Sequence, residues 1–274
     1  MLKDITLGQY FSGDSFLHNL DPRIKIILVV IYAVTVFLAK NLFSLLFLLL
    51  TALILTAISG ISFKVVLKSI KPVMILLVFT AVINIFLTST DADPIFHWQF
   101  IKIYRQGIIN AIFMVVRILS LITGTSVLLT YTTSPISLTD GLERLLSPLK
   151  KIKVPVHEFA MMMTIALRFI PTLLEETDKI ISAQKARGAG FDSGGIVKKA
   201  KAFLPILIPL FISAFRRADE LACAMECRCY RGDEGRTRMK VLKLRATDVV
   251  TLLLGIIFVI AVFFFNSIPT DLSI

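Results

Sequence analysis

Long apolar runs, broken by short polar segments, organise this chain. They cover residues 24–39, 42–59, 72–88, 108–131 and 249–265. Each is about 17–24 residues long, enough for a helix to cross about 30 Å of hydrocarbon at 1.5 Å per residue. None alternates in the manner of a barrel strand. Only Lys40 and Asn41 separate the first two runs, which predicts an antiparallel helical hairpin. Pro72 is expected in the first turn of the third span, where its missing N–H costs nothing.

Residues 132–247 follow a different pattern. Ser134-Pro135 starts a helix over about 135–147, with Leu138, Leu142, Leu145, Leu146 and Leu149 on one stripe. A second helix over about 156–187 is apolar from Phe159 to Leu174 and charged afterwards. A third, over about 199–230, repeats this polarity: Phe203 to Phe215 is apolar and the remainder charged, with Pro209 expected to kink it. Both read as interfacial helices, because Arg168 interrupts one apolar stretch and the other is too short to span. The alternative arrangement sets both apolar halves at membrane level with both charged halves projecting into the cytoplasm.

Composition supports the membrane assignment. Of 274 residues, 56% are hydrophobic and 18% charged, more apolar than one compact core requires. The net charge of +11 suits a membrane protein as well as a nucleic-acid binder, because basic residues gather on the cytoplasmic side. Residues 1–20 carry Asp4, Gln9, Asp14 and His18 and no apolar core, so a signal peptide is not expected and the N-terminus is placed inside. Segments 1–25, 60–71 and 132–247 then hold 3, 3 and 20 of the 30 basic residues, and the C-terminus falls outside. Nucleic acid is not an expected partner; the lipid bilayer is.

The second helix ends in Ala186-Arg187-Gly188 and the third in Cys227-Arg228-Cys229. An arginine between small residues projects unshielded and donates up to five hydrogen bonds into a partner's groove. Helix-end decoration is the competing explanation. Cys223, Cys227 and Cys229 do not have a zinc spacing and read as reduced packing residues. His18, His97 and His157 form no visible site. Arg117 is the one charge within a span, either functional or paired with a backbone carbonyl. No phosphate-binding glycine motif or catalytic set is present, so no enzyme activity and no cofactor are expected of this chain. No Asp or Glu falls within the five runs, which counts against an ion-coupled secondary carrier acting alone, the alternative that remains.

Several stretches carry a family resemblance: Leu20-Asp-Pro-Arg23-Ile-Lys25, Ser134 to Leu146, Ala166-Leu-Arg168-Phe-Ile-Pro171 through Glu176, Ala183 to Gly188, Arg217-Ala-Asp-Glu220 to Glu226, and Tyr230-Arg-Gly232 to Thr237. Together the chain resembles the T component, the membrane scaffold, of energy-coupling factor vitamin transporters. The resemblance implies an all-α multi-pass protein with about five transmembrane helices and a cytoplasmic coupling domain of three helices before the last span. It implies as partners two ABC-type ATPases, which bind the ATP, and a small substrate-binding S component. The family's two Ala-Arg-Gly motifs, which dock in ATPase grooves, map onto Ala186, Arg187 and Gly188 and onto Cys227, Arg228 and Cys229. The second lacks its glycine, which leaves Gly232 as the candidate helix end and ranks Arg228 below Arg187. Met161, Met162, Met163, Phe203, Leu207 and Phe211 are the expected contacts for the S component, methionine being adaptable to varied partners.

Overall fold

The computed structural model describes residues 10–87, 96–98, 101–189, 196–232 and 242–268. Eight α-helices dominate the described residues: α1 (Pro22–Leu38), α2 (Leu42–Ser59), α3 (Phe63–Leu87), α4 (Arg105–Thr125), α5 (Pro135–Leu145), α6 (Val156–Ala186), α7 (Ile196–Cys227) and α8 (Ala246–Asn266). A short antiparallel hairpin, β1 (Phe96–Trp98) with β2 (Ile101–Ile103), precedes α4. A six-residue π-helix, Ser126–Tyr131, continues α4, and a 3₁₀ turn, Ser147–Ile152, follows α5 at Pro148.

Among the described residues, α2, α3, α8 and α4 with its π extension are long and apolar enough to cross a membrane. The 17-residue α1 is one residue shorter than α2 and joins them. The protein is therefore an all-α, multi-pass membrane protein. Large side chains such as Ile75 and Phe264 remain 80% and 69% exposed on α3 and α8, which is where acyl chains provide the solvent.

Two element boundaries differ from expectation. Pro72 lies well inside α3 rather than in its first turn. The helix starts at Phe63, because Lys64, Lys68 and Lys71 recur at helical spacing and form a polar stripe on an amphipathic entry segment. A scan for apolar runs stops at those lysines; the helix does not. Likewise α8 begins at Ala246, which brings Asp248 into its first turn.

The chain divides into two compact units. One comprises the described residues up to Leu142 and those from Leu242 onward; the other comprises those between Glu143 and Gly232. In the first, Tyr32, Val36, Leu45, Leu48, Phe113, Val127 and Val262 form the core. Its α1 and α8 run in the same direction and are tied at both ends. At their starts, Asp248 Oδ1 accepts from the backbone N–H of Asp21 at 2.9 Å, while Oδ2 accepts from that of Arg245 at 2.8 Å. At their ends, Asn266 Nδ2 donates to the Leu38 carbonyl at 2.8 Å. Asn41 Nδ2 reaches the carbonyls of Asn266 and Ile268 at 3.1 and 2.7 Å. These side chains satisfy carbonyl and N–H groups that helix ends leave open, which hydrocarbon punishes more than water does.

The Leu20–Lys25 stretch is the other half of this clasp. Asp21 caps α1 and pairs with Arg23, whose Nη2 donates to the Leu242 carbonyl at 3.1 Å. Lys25 is 2% exposed and donates its three protons to the carbonyls of His18 and Thr132 and to Thr133 Oγ1. Close approach requires glycine at Gly124, where a Cβ would collide with the ring of Tyr32, whose hydroxyl donates to the Ser120 carbonyl at 2.9 Å.

Candidate docking site at two helix ends

In the second unit, α6 and α7 are antiparallel. Arg217 Nη2 of α7 donates to Glu176 Oε2 of α6 at 2.7 Å. Further toward the start of α6, Ile165 and Phe169 share a cleft of about 540 Å³ with Ala214, Ala218, Leu221 and Met225. Beyond that, Glu158 Oε1 lies 3.9 Å from where a Cβ on Gly232 would stand. Residue numbers thus fall on α6 as they rise on α7. Two antiparallel helices that are each apolar first cannot send both charged halves the same way. The arrangement with both charged halves projecting together is therefore overturned, since the apolar half of α6 lies alongside the charged half of α7.

Glu176 and Arg217 stand where each helix turns from apolar to polar, and the stretches Ala166–Glu176 and Arg217–Glu226 meet through them. The Ser213 hydroxyl, followed by the Arg217 guanidinium, holds the Glu176 carboxyl below the usual carboxylate range. Sequence reading did not pair these residues. The signal was present, one acid and one base at matching polarity boundaries, but their partnership depends on which way the helices run. At the start of α6, buried His157 Nδ1 bonds Glu143 Oε1 at 2.9 Å and ties the α5 end to α6.

The two helix ends are built alike. α6 closes at Ala186, with Arg187 as its cap and Gly188 at φ +86°. The Ala189 N–H returns to the Gln184 carbonyl at 3.0 Å and the Gly188 N–H to that of Lys185 at 3.0 Å. α7 closes at Cys227, with Arg228 in the same place and Cys229 at φ +56°. The Tyr230 N–H returns to the Met225 carbonyl at 3.1 Å and the Cys229 N–H to that of Glu226 at 2.9 Å. Both are Schellman closures with the same pair of bonds. Gly232 was the expected helix end, but it lies beyond the helix, in the loop. Cys229 occupies the left-handed position that normally goes to glycine, at a cost of about 1–2 kcal/mol offset by the two closing bonds.

Ala186, Arg187, Gly188, Cys227, Arg228 and Cys229 are all exposed. Because the helices are antiparallel, the Arg228 end lies by the start of α6. About 40 Å of helix separates that end from Arg187. Structure therefore holds the two arginines in equivalent local frames far apart. The expected S-component residues lie on the apolar halves. Met162, Met163, Phe203, Leu207 and Phe211 are 42–66% exposed, whereas Met161 is half-buried. Arg117 belongs to neither group: its Nη2 donates to the Ala39 carbonyl at the end of α1, 2.7 Å away.

Residues 13–240 match the family described as Cobalt transport protein. The chain is 56% identical over 94% of its length to the energy-coupling factor transporter transmembrane protein EcfT of Clostridium kluyveri, covering 96% of that protein. The chain belongs to the EcfT family. The EcfT of Acidaminococcus fermentans is 54% identical, with 98% of this chain and all of that protein aligned. The Bacillus subtilis EcfT is 44% identical over 97% of this chain and all of its own length. As a member of the EcfT family, this chain is a transmembrane component of the energy-coupling factor type.

Proposed function

We propose that the chain is the energy-coupling scaffold of an ATP-dependent vitamin or micronutrient importer. Two ABC-type ATPases bind and hydrolyse the ATP, one taking Arg187 into a groove and the other Arg228. The observation that carries this reading is the repeated Schellman end with its exposed arginine, about 40 Å of helix apart. Two equivalent, widely spaced anchors suit two similar partners better than one. Closure of the ATPases draws the two ends, and the cleft between α6 and α7 leaves them room to shift. The exposed apolar halves around Met162, Met163, Phe203, Leu207 and Phe211, with Met161 behind them, pass that shift to the S component, which releases its substrate.

The N-terminus and the α5–α7 region face the cytoplasm and the C-terminus lies outside. The basic count supports this orientation, and the parallel course of α1 and α8 supports termini on opposite faces, as an even number of crossings before α8 requires. The chain itself performs no catalysis.

The test is co-purification with nucleotide-binding subunits and vitamin uptake, for Arg187→Ala, Arg228→Ala and the double variant at equal expression. Loss of a charge-assisted contact weakens docking by about 1.5–3 kcal/mol per site, and the double variant abolishes uptake. Lys restores neither site where the contact is bidentate. Wild-type uptake by the double variant, or uptake by the chain alone in liposomes without ATPases, refutes the scaffold reading; the latter result would instead establish the ion-coupled carrier.

A further inference from the structure

The chain has 3 cysteines, all between residues 223 and 229, so one docking end carries thiols and the other carries none. Core packing, the role their spacing suggests, is overturned: Cys223, Cys227 and Cys229 are all free and exposed. Cys227 and Cys229 stand on either side of Arg228, where Ala186 and Gly188 stand beside Arg187. The two ends share one backbone frame. What differs directly beside the arginine is a pair of thiols.

Cys229 holds the left-handed place that Gly188 holds on α6. A Cβ added at Gly188 would meet nothing within 4 Å among the described residues, so the shared frame itself leaves this position open. At the α7 end the cysteine is exposed as well. Exchange with a disulfide depends on such access. The charged residues within two positions of Cys229 are Arg228 and Arg231, both cations, with Glu226 one position further. They draw an anionic reagent toward the thiol. Cytoplasmic disulfides in ordinary proteins are transient and redox-sensing rather than structural.

We infer that Cys229 is a reversible S-thiolation site that switches off docking at the Arg228 end alone, an effect that rests on the scaffold reading above. The Cys229 sulfur, having given its proton to solvent, attacks one sulfur of a small carboxylate-bearing disulfide. A new S–S bond forms, the old one breaks, and the other half leaves as a thiolate that takes up a proton. That disulfide is the only oxidant consumed, and a free thiol reverses the exchange. The adduct fills the space that a small neighbour left beside Arg228. Its carboxylates pair with the guanidinium in place of the groove's acceptors. Ala186 and Gly188 carry no sulfur, so the Arg187 end does not respond.

The experiment treats the purified full chain in detergent with glutathione disulfide, removes the excess and adds untreated nucleotide-binding subunits. Peptide mass spectrometry should find glutathione on Cys229. Treatment should weaken docking at the Arg228 end about tenfold or more, the loss expected for one charge-assisted contact, and bring wild-type capture to the level of untreated Arg228→Ala. Reductant should restore it. Treatment should change nothing further in Arg228→Ala. Every variant is compared with its own untreated form: Cys229→Gly should be insensitive, and the double variant Cys223→Ser with Cys227→Ser should stay sensitive. No capture by the untreated wild type refutes the scaffold reading and the switch with it. Where the untreated wild type does capture ATPases, the switch alone is overturned by undiminished capture after treatment, by sensitivity that survives Cys229→Gly, or by sensitivity lost with Cys223 and Cys227, which would assign it to an internal disulfide.

Discussion

Asp248 accepts a hydrogen bond from the backbone N–H of Asp21 across 227 residues of sequence, at 2.9 Å, in a site where Asp248 is 1% exposed. The same carboxylate closes the first turn of α8 through the Arg245 N–H. One side chain thus starts two parallel helices. Its acid is occupied by backbone donors, the role of a cap rather than of an ion relay.

Asp248→Ala leaves two N–H donors without an acceptor, and should destabilise the membrane unit by about 2–4 kcal/mol. Asp248→Asn keeps one acceptor oxygen and should cost less than half of that. Thermal unfolding in detergent, followed by circular dichroism, measures both; equal effects would mean that charge and not hydrogen bonding dominates.

Cys229→Gly removes the Cβ from a left-handed position while keeping both closing bonds. It should stabilise the α7 end by about 1 kcal/mol. Amide hydrogen exchange at Cys229 and Tyr230 should slow, and ATPase co-purification should be preserved. Faster exchange would show that the cysteine side chain itself holds this end.

Acid should loosen α6 from α7. The Glu176 carboxyl titrates below its ordinary value in the folded protein, so its contribution is complete above the unfolded value of about 4.5 and disappears as pH falls through the folded one. A distance probe across α6 and α7 should be flat from neutral pH down to the unfolded value and lengthen only as pH falls below it. Glu176→Gln should flatten that response, and a response unchanged in the variant would assign it to another group.

Gly124→Ala sets a Cβ 2.7 Å from the Tyr32 hydroxyl and against its ring carbons. Displacing the ring also breaks its bond to Ser120, for a cost of about 3 kcal/mol. Tyr32→Ala alone is destabilising, but combined with Gly124→Ala the loss should be well below the sum, as expected for residues in contact. Additive losses would mean that the two do not compete for the same space.

Where helices form, and what surrounds them, follows from local pattern. Hydrocarbon has one thickness, so 42–59 was legible to the residue as α2, and the other spans were located by their apolar runs. The polarity change along α6 and α7, and an arginine at the end of each, were equally plain because they are local. Pro72 was misplaced because an apolar-run criterion does not see an amphipathic turn carrying lysines. The direction in which α6 and α7 run past each other came only from their packing, and with it the pairing of Glu176 with Arg217 and the distance between the two arginines. Packing also joined Asp21 to Asp248. The left-handed Cys229 is local too, but residue type hid it, because the sign of φ there is set by the two bonds that close the helix end, not by the side chain's own preference. Periodicity and length are properties of a segment; a partner 227 residues away is chosen only when the helices meet.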